Sequence, residues 1–136
     1  MAETYSQLEA GYEFPPGSFE LDAARVSLYL KAVQDNSYSY QENRLVPPMA
    51  VAALAMATLS NTIRLPPGSI HVSQELSFVK AISQDDRLTS YAKISRVQKR
   101  GKLHLIAVDI NVRNRDQQTV LTGKTSFILP QTEGEN

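Results

Sequence analysis

The hydrophobic and polar positions along the chain predict two helices followed by four strands. The first helical pattern opens at Leu21-Asp22, where Asp22 is a candidate N-cap, and it ends near the turn-forming residues 35–37. The second runs from Met49 to Leu59 and follows Pro47-Pro48. Proline is favoured in the first turn of a helix, because the N–H that it lacks would have had no partner within the helix.

The stretch from Met49 to Leu59 carries no charge and is apolar on nearly every face. It is rich in alanine, which has the highest helix propensity and allows other backbone segments to approach closely. A helix that is apolar all round must be buried all round. We therefore expect the rest of the chain to enclose this helix.

The four strand-like stretches can supply that enclosure, because short connections favour antiparallel neighbours and a twisted sheet can curl around a helix. They run from Ile70 to Ile82, Arg87 to Val97, Leu103 to Val112 and Thr119 to Leu129. The pattern predicts an α+β fold with a curled antiparallel sheet around one long apolar helix. We expect a single domain over residues 1–136, with an irregular segment at 1–20 and a loose polar tail at 131–136.

Composition narrows the classes of function. The chain has no cysteine and two histidines, so we expect neither a metal site nor another cofactor. Its net charge is zero, which gives no broad footprint for nucleic acid. The N-terminus has no signal-peptide pattern, and the 11 uncharged residues from Met49 to Leu59 are too few to span a membrane. The expected location is the cytoplasm.

Two polar features have alternative interpretations. A basic run at residues 96–102 is either a solvated hairpin tip or a surface for coenzyme A phosphates or an acidic carrier protein. Asp109 and Asn111 share one face of the third strand, where burial would require polar partners. We interpret them as facing solvent or a subunit interface.

Four short stretches occur in an order that resembles a known family. They are Pro67 to Phe78 (PGSIHVSQELSF), Asp86 to Leu88 (DRL), Val112 to Asp116 (VRNRD) and Val120 to Lys124 (VLTGK). Together with the apolar helix they resemble the MaoC-like dehydratase branch of the hot-dog superfamily, which includes (R)-specific enoyl-CoA hydratases. The resemblance implies a hot-dog fold, an acyl-thioester ligand on coenzyme A or a carrier, and assembly as a dimer.

In the family, an aspartate and a histidine five positions apart precede the central helix and act on the proton and the water. By this resemblance Asp35 matches the catalytic acid, but Tyr40 stands where the histidine should be. A phenol, whose ordinary pKa is about 10, is a poor base near neutrality. Without the resemblance, Asp35 is simply a turn residue at a helix end, and Tyr40 packs beside the core or lines a ligand tunnel.

The family polarises the thioester carbonyl with a backbone N–H at the helix start, where Pro48 has none to offer. A donor would therefore come from Met49 or beyond. Tyr38, Pro48, Met49 and His71 are the candidate substrate-binding residues. His71 alone would be packing or surface, or a substitute base.

Three hypotheses about function remain. The first is a 3-hydroxyacyl-thioester dehydratase or enoyl hydratase with a degenerate site, acting alone or as the supporting half of a heteromeric dehydratase. The second is a non-enzymatic acyl-thioester binding or subunit protein. The third is a hot-dog thioesterase, which is disfavoured because residues 43–74 contain no aspartate or glutamate.

Overall fold

The computed structural model of the chain describes residues 3–4, 9–36 and 43–130. Its elements, in chain order, are β1 (Glu3–Thr4), β2 (Gly17–Glu20), α1 (Ala23–Val33), α2 (Pro48–Ser60), β3 (Ile63–Arg64), β4 (Ile70–Phe78), β5 (Arg87–Arg100), β6 (Leu103–Arg113) and β7 (Thr119–Pro130). Tyr38, Tyr40 and the tail at 131–136 lie outside the described residues.

Five strands form one antiparallel sheet in the order β2-β5-β6-β7-β4. Register shifts interrupt β4 between His71 and Ser73 and β5 between Ile94 and Arg96. Such irregularities bend a strand and increase its local twist, which helps the sheet to curl. The predicted curled antiparallel sheet is confirmed. The sequence pattern did not predict β1 and β3, which form a separate two-stranded parallel pair.

The first strand of the predicted set ends earlier than expected. The pattern ran to Ile82, but β4 stops at Phe78 because the backbone N–H groups of Val79 and Lys80 both bond to the Val120 carbonyl, at 2.9 and 3.3 Å. The chain therefore leaves the sheet, and the Ile82 carbonyl accepts the Val46 N–H at 2.8 Å instead. This contact brings the start of α2 to the end of β4.

Helix α1 has the predicted N-cap. The Asp22 side chain accepts the Arg25 backbone N–H at 2.8 Å, which satisfies one of the donors left free at a helix start. At the other end Gln34 adopts a left-handed conformation with φ 57°, and the Asp35 N–H bonds to the Leu30 carbonyl at 2.9 Å. This Schellman-type turn ends the helix and fixes the position of Asp35.

Helix α2 is less enclosed than the sequence predicted. Its buried face consists of Ala50, Val51, Ala52, Ala55 and Leu59. A stripe on the opposite face is exposed and consists of Met49, Ala53 and Ala57. The expectation of burial on all sides is therefore wrong for the single chain, because one sheet of five strands covers only one side of a helix. Met49, which was expected to be buried with the rest of this helix, is 51% exposed.

Helix α2 lies very close to the edge strand β2. A Cβ placed on Gly17 would come within 2.2 Å of the Thr58 Cγ2 atom, well inside any real contact distance. Only glycine permits this approach between β2 and α2. The contact fixes where the C-terminal half of the helix sits on the sheet.

The core fills the space between the helices and one face of the sheet. Its fully buried members include Leu88, Ile94, Val108, Val112 and Leu121. Thr125 is a polar residue with no exposed surface within this apolar region. Among the helices that the structure describes, none has both the length and the apolar character to cross a membrane.

Candidate functional site

An open cavity of about 890 Å³ lies against helix α1 and contains Asp35. One wall is the face of α1 that includes Val26 and Leu30. The other wall comes from Arg44, which lies just before α2, and Gln84, which follows β4. Asp35 is half-buried at this cavity.

The far wall of the cavity is held by contacts between residues 44–46 and 82–85. Leu45 and Ser83 form an isolated antiparallel bridge, and the Gln84 N–H donates to the Arg44 carbonyl at 2.9 Å. The Arg44 guanidinium lies 2.8 Å from the Asp85 carboxylate. Arg44 and Asp85 both have positive φ angles, 55° and 68°, which residues other than glycine rarely adopt. These contacts hold Arg44 at the cavity beside Asp35.

The start of α2 presents its first backbone donor at Met49, because Pro47 and Pro48 have no N–H. The next donor, on Ala50, bonds to the Pro47 carbonyl at 3.0 Å. Pro47 provides no side-chain cap. A contact from Met49 or a later residue to a thioester carbonyl therefore stays a prediction.

His71 lies away from this cavity, near the N-terminal end of β4. Its Nε2 atom is 2.7 Å from the Thr125 hydroxyl oxygen, and its ring stacks on Phe127 with centroids 5.0 Å apart. Within the described residues the structure therefore joins Asp35 to Arg44 and Gln84. It does not bring Met49 or His71 into the same cavity.

A second groove of about 610 Å³ lies on the outer face of the sheet, where the polar residues of β5 and β6 point. Here the Arg113 guanidinium sits 4.6 Å from the centre of the Tyr91 ring, and its Nε donates to the Asn111 side-chain oxygen at 3.1 Å. Asp109 is exposed and lies 3.7 Å from the Lys124 ammonium. The expected outward orientation of Asp109 and Asn111 agrees with this geometry, but the groove itself was not predicted. The alternation of polar and apolar residues in β5 and β6 was the signal available for it.

The basic run at residues 96–102 lies at the end of the β5–β6 hairpin, where β5 extends to Arg100 and residues 101–102 form the turn. Gly101 makes that turn with a φ of 59°. Lys99, Arg100 and Lys102 are exposed there. The interpretation as a hairpin tip is confirmed.

The fold and the sequence place the chain in a family. The fold is the hot-dog fold, with the α+β arrangement that the sequence predicted. A family model described as the FAS1-like dehydratase domain region matches residues 9–123, so the chain belongs to this family of dehydratase domains. The resemblance to the MaoC-like branch is likewise confirmed. No curated protein matches the chain.

Three solved structures illustrate the likeness. The R-hydratase PhaJ1 from Pseudomonas aeruginosa has a TM-score of 0.77 and 20% identity, with 94% of this chain and 86% of that chain covered. The MaoC-like dehydratase from Rhodospirillum rubrum has a TM-score of 0.80 and 15% identity, covering 94% and 97%. The HadBC 3R-hydroxyacyl-ACP dehydratase complex from Mycobacterium tuberculosis has a TM-score of 0.69 and 18% identity, covering 88% and 96%.

Proposed function

We propose that this hot-dog domain binds acyl thioesters, carried on coenzyme A or on a carrier protein, at the cavity that contains Asp35. In this proposal the chemistry is that of an enoyl hydratase or 3-hydroxyacyl dehydratase. The observation that carries it is the position of Asp35, which is fixed by the turn after α1 and half-buried at a cavity of about 890 Å³. That volume lies within the range of typical small-molecule sites.

The charges around the cavity suit a phosphorylated ligand. Lys31 and Arg44 both line it and supply cations on opposite walls. Acyl carriers end in a phosphopantetheine arm, so cations at the mouth would attract the phosphates, while the acyl chain would reach the small part of Val26 and Leu30 that is open to the cavity. The Met49 N–H, beside Pro48, is the proposed donor to the thioester carbonyl, which would then extend from the cavity to the start of α2, because Met49 does not line the cavity itself. Tyr38 and Tyr40 remain proposed contacts that the described residues do not include.

Hydration of crotonyl-CoA by the purified chain tests this proposal. Replacement of the carboxylate in Asp35→Asn should lower kcat by about 100-fold or more, the usual contribution of a positioned acid or base. Asp116→Asn is the matched control, because Asp116 is an exposed aspartate in the turn between β6 and β7. Equal loss in both variants, or no acyl-CoA binding by the native chain in calorimetry, would contradict the proposal.

The second candidate function is a non-enzymatic acyl-thioester binding subunit. Tyr40 at the family's histidine position and the paired prolines at the start of α2 favour it. This protein would bind acyl-CoA without turnover and would raise the activity of a catalytic hot-dog subunit on mixing. Turnover by the isolated chain excludes it, and so the crotonyl-CoA assay separates the two candidates.

We also propose that the chain pairs through β4, the free edge of the sheet, with a second copy or with a catalytic hot-dog subunit. Four of the exposed large apolar residues lie along this edge, with Ile70 (57%) and Val72 (44%) near the start of β4 and Phe78 (46%) and Val79 (59%) at its end. An exposed edge strand with apolar side chains associates readily, and natural proteins usually cover it. The exposed stripe on α2 that includes Met49 gives a second surface for the same partner.

A further inference from the structure

His71 is held in one orientation on the side of the sheet that carries the core. Its neighbours on β7 are Thr125, which has no exposed surface, and Phe127, which is buried. The hydrogen bond to Thr125 uses Nε2, and the stacking on Phe127 fixes the plane of the ring. The other ring nitrogen, Nδ1, takes no part in that bond. An imidazole oriented in this way resembles a base whose tautomer is set by a second residue.

Within one chain this imidazole is far from the cavity. His71 begins β4, whereas Gln84 of the cavity wall follows the other end of that strand. At about 3.3 Å per residue, the stretch from His71 to Phe78 alone spans roughly 23 Å. The chain that contributes Asp35 cannot bring its own His71 to it.

A second copy of the chain, paired through β4, brings its His71 towards the end of β4 that lies nearer the cavity. In a two-fold antiparallel pair of identical strands, each residue faces one equally far on the other side of the centre. Because Val72 is the extra residue of the β4 bulge, a pair centred on Gln74 sets the partner's His71 opposite Leu76, which lies on the same face near the C-terminal end of β4. The start of α2 lies at this same end, because the Val46 N–H bonds to the Ile82 carbonyl there at 2.8 Å.

We propose that the partner's His71 supplies the base for the Asp35 cavity, so that each active site of a homodimer combines Asp35 of one chain with His71 of the other. This inference rests on the proposed hydratase function. Nδ1 removes a proton from water while the water oxygen bonds to C3 of the enoyl thioester. The π electrons shift toward C2 and the thioester carbonyl, and the imidazolium then returns the proton to C2. The product is the 3-hydroxyacyl thioester, the histidine is unchanged, and Asp35 orients the water.

Thr125 is a positioning residue in this arrangement. When Nε2–H donates to the Thr125 hydroxyl oxygen, Nδ1 keeps its lone pair and is able to accept the proton. Thr125→Val removes the acceptor at nearly constant volume, so it should lower kcat with little change in KM. Thr125→Ser, which keeps the hydroxyl, should retain most of the activity.

Mixing of two inactive variants tests the shared site. His71→Asn and Asp35→Asn should each lose at least about 100-fold in kcat on crotonyl-CoA. Unfolding and reassembly of an equal mixture makes about half of the dimers hybrids with one intact site of two, so about a quarter of the native activity should return. A site formed within one chain would recover nothing on mixing.

Controls make each outcome decisive. His104→Asn removes the chain's other histidine and should leave kcat unchanged, and circular dichroism verifies that each variant is folded. Full activity of His71→Asn, or no recovery in a mixture shown to contain hybrids, overturns the inference and leaves the proposed function standing. Native chain that binds acyl-CoA without turnover also overturns it. Native chain that neither binds nor turns over the thioester overturns the proposed function itself.

Discussion

The contact between Gly17 and Thr58 offers a direct test of where α2 lies on the sheet. A Cβ on residue 17 would stand 2.2 Å from the Thr58 Cγ2 atom, whereas the Thr58 Cβ and Oγ1 atoms are at 3.4 and 3.6 Å. The clash in Gly17→Ala therefore comes from a single methyl group. Thr58 is not free to turn away, because its hydroxyl donates to the Leu54 carbonyl at 2.9 Å.

The expected change in the free energy of unfolding for Gly17→Ala follows from two opposing effects. Insertion of a methyl group into a packed contact costs about 1–3 kcal/mol. The loss of glycine's freedom in the unfolded chain favours alanine by about 0.4–1 kcal/mol where the backbone tolerates it. We expect Gly17→Ala to lower the free energy of unfolding by about 1–2 kcal/mol in the native background.

Thr58→Ser is the matched background, since it removes the clashing methyl group and keeps the hydroxyl. There the remaining contacts of 3.4 and 3.6 Å are ordinary, so Gly17→Ala should be neutral or stabilising. Urea denaturation followed by circular dichroism measures all four members of this double-mutant cycle. Equal cost of Gly17→Ala in both backgrounds would refute the described packing of β2 against α2.

Three further predictions concern single contacts. Thr125→Val should lower the free energy of unfolding, measured by urea denaturation, by about 1 kcal/mol. In a His71→Ala background the same change should be neutral or stabilising, because it removes a buried hydroxyl that has lost its partner. A cost that persists in that background would contradict the hydrogen bond between His71 and Thr125. Phe78→Lys should convert a dimer to monomers, as measured by light scattering. Leu103→Lys changes an equally exposed apolar residue away from the β4 edge and should leave the dimer intact. Dissociation by both variants would argue against pairing through β4. Arg44→Ala should destabilise more than Arg44→Gly in thermal unfolding, because glycine relieves the left-handed backbone and the exposed ion pair with Asp85 contributes at most about 1 kcal/mol; the reverse order would contradict the strain.

The sequence by itself determined the two helices and the four long strands, and the order in which they follow one another. Asp22 predicted the start of α1, and the prolines at 47 and 48 predicted the start of α2. The alternation from Leu103 to Val112 gave the buried face of β6. These signals are local, since caps, proline and residue periodicity act within a few positions of the chain. The family resemblance depended on the same local stretches.

The tertiary structure decided the contacts between distant residues. It placed His71 against Thr125 and brought Asp35 and Gln84 to the same cavity, pairs that are separated by tens of positions in the sequence. It also left one stripe of α2 exposed. The sequence did not predict this exposure, because an alanine-rich pattern shows that a helix is apolar but not how many strands are available to cover it. Burial is a property of the whole assembly of elements, and the composition of one helix cannot supply it.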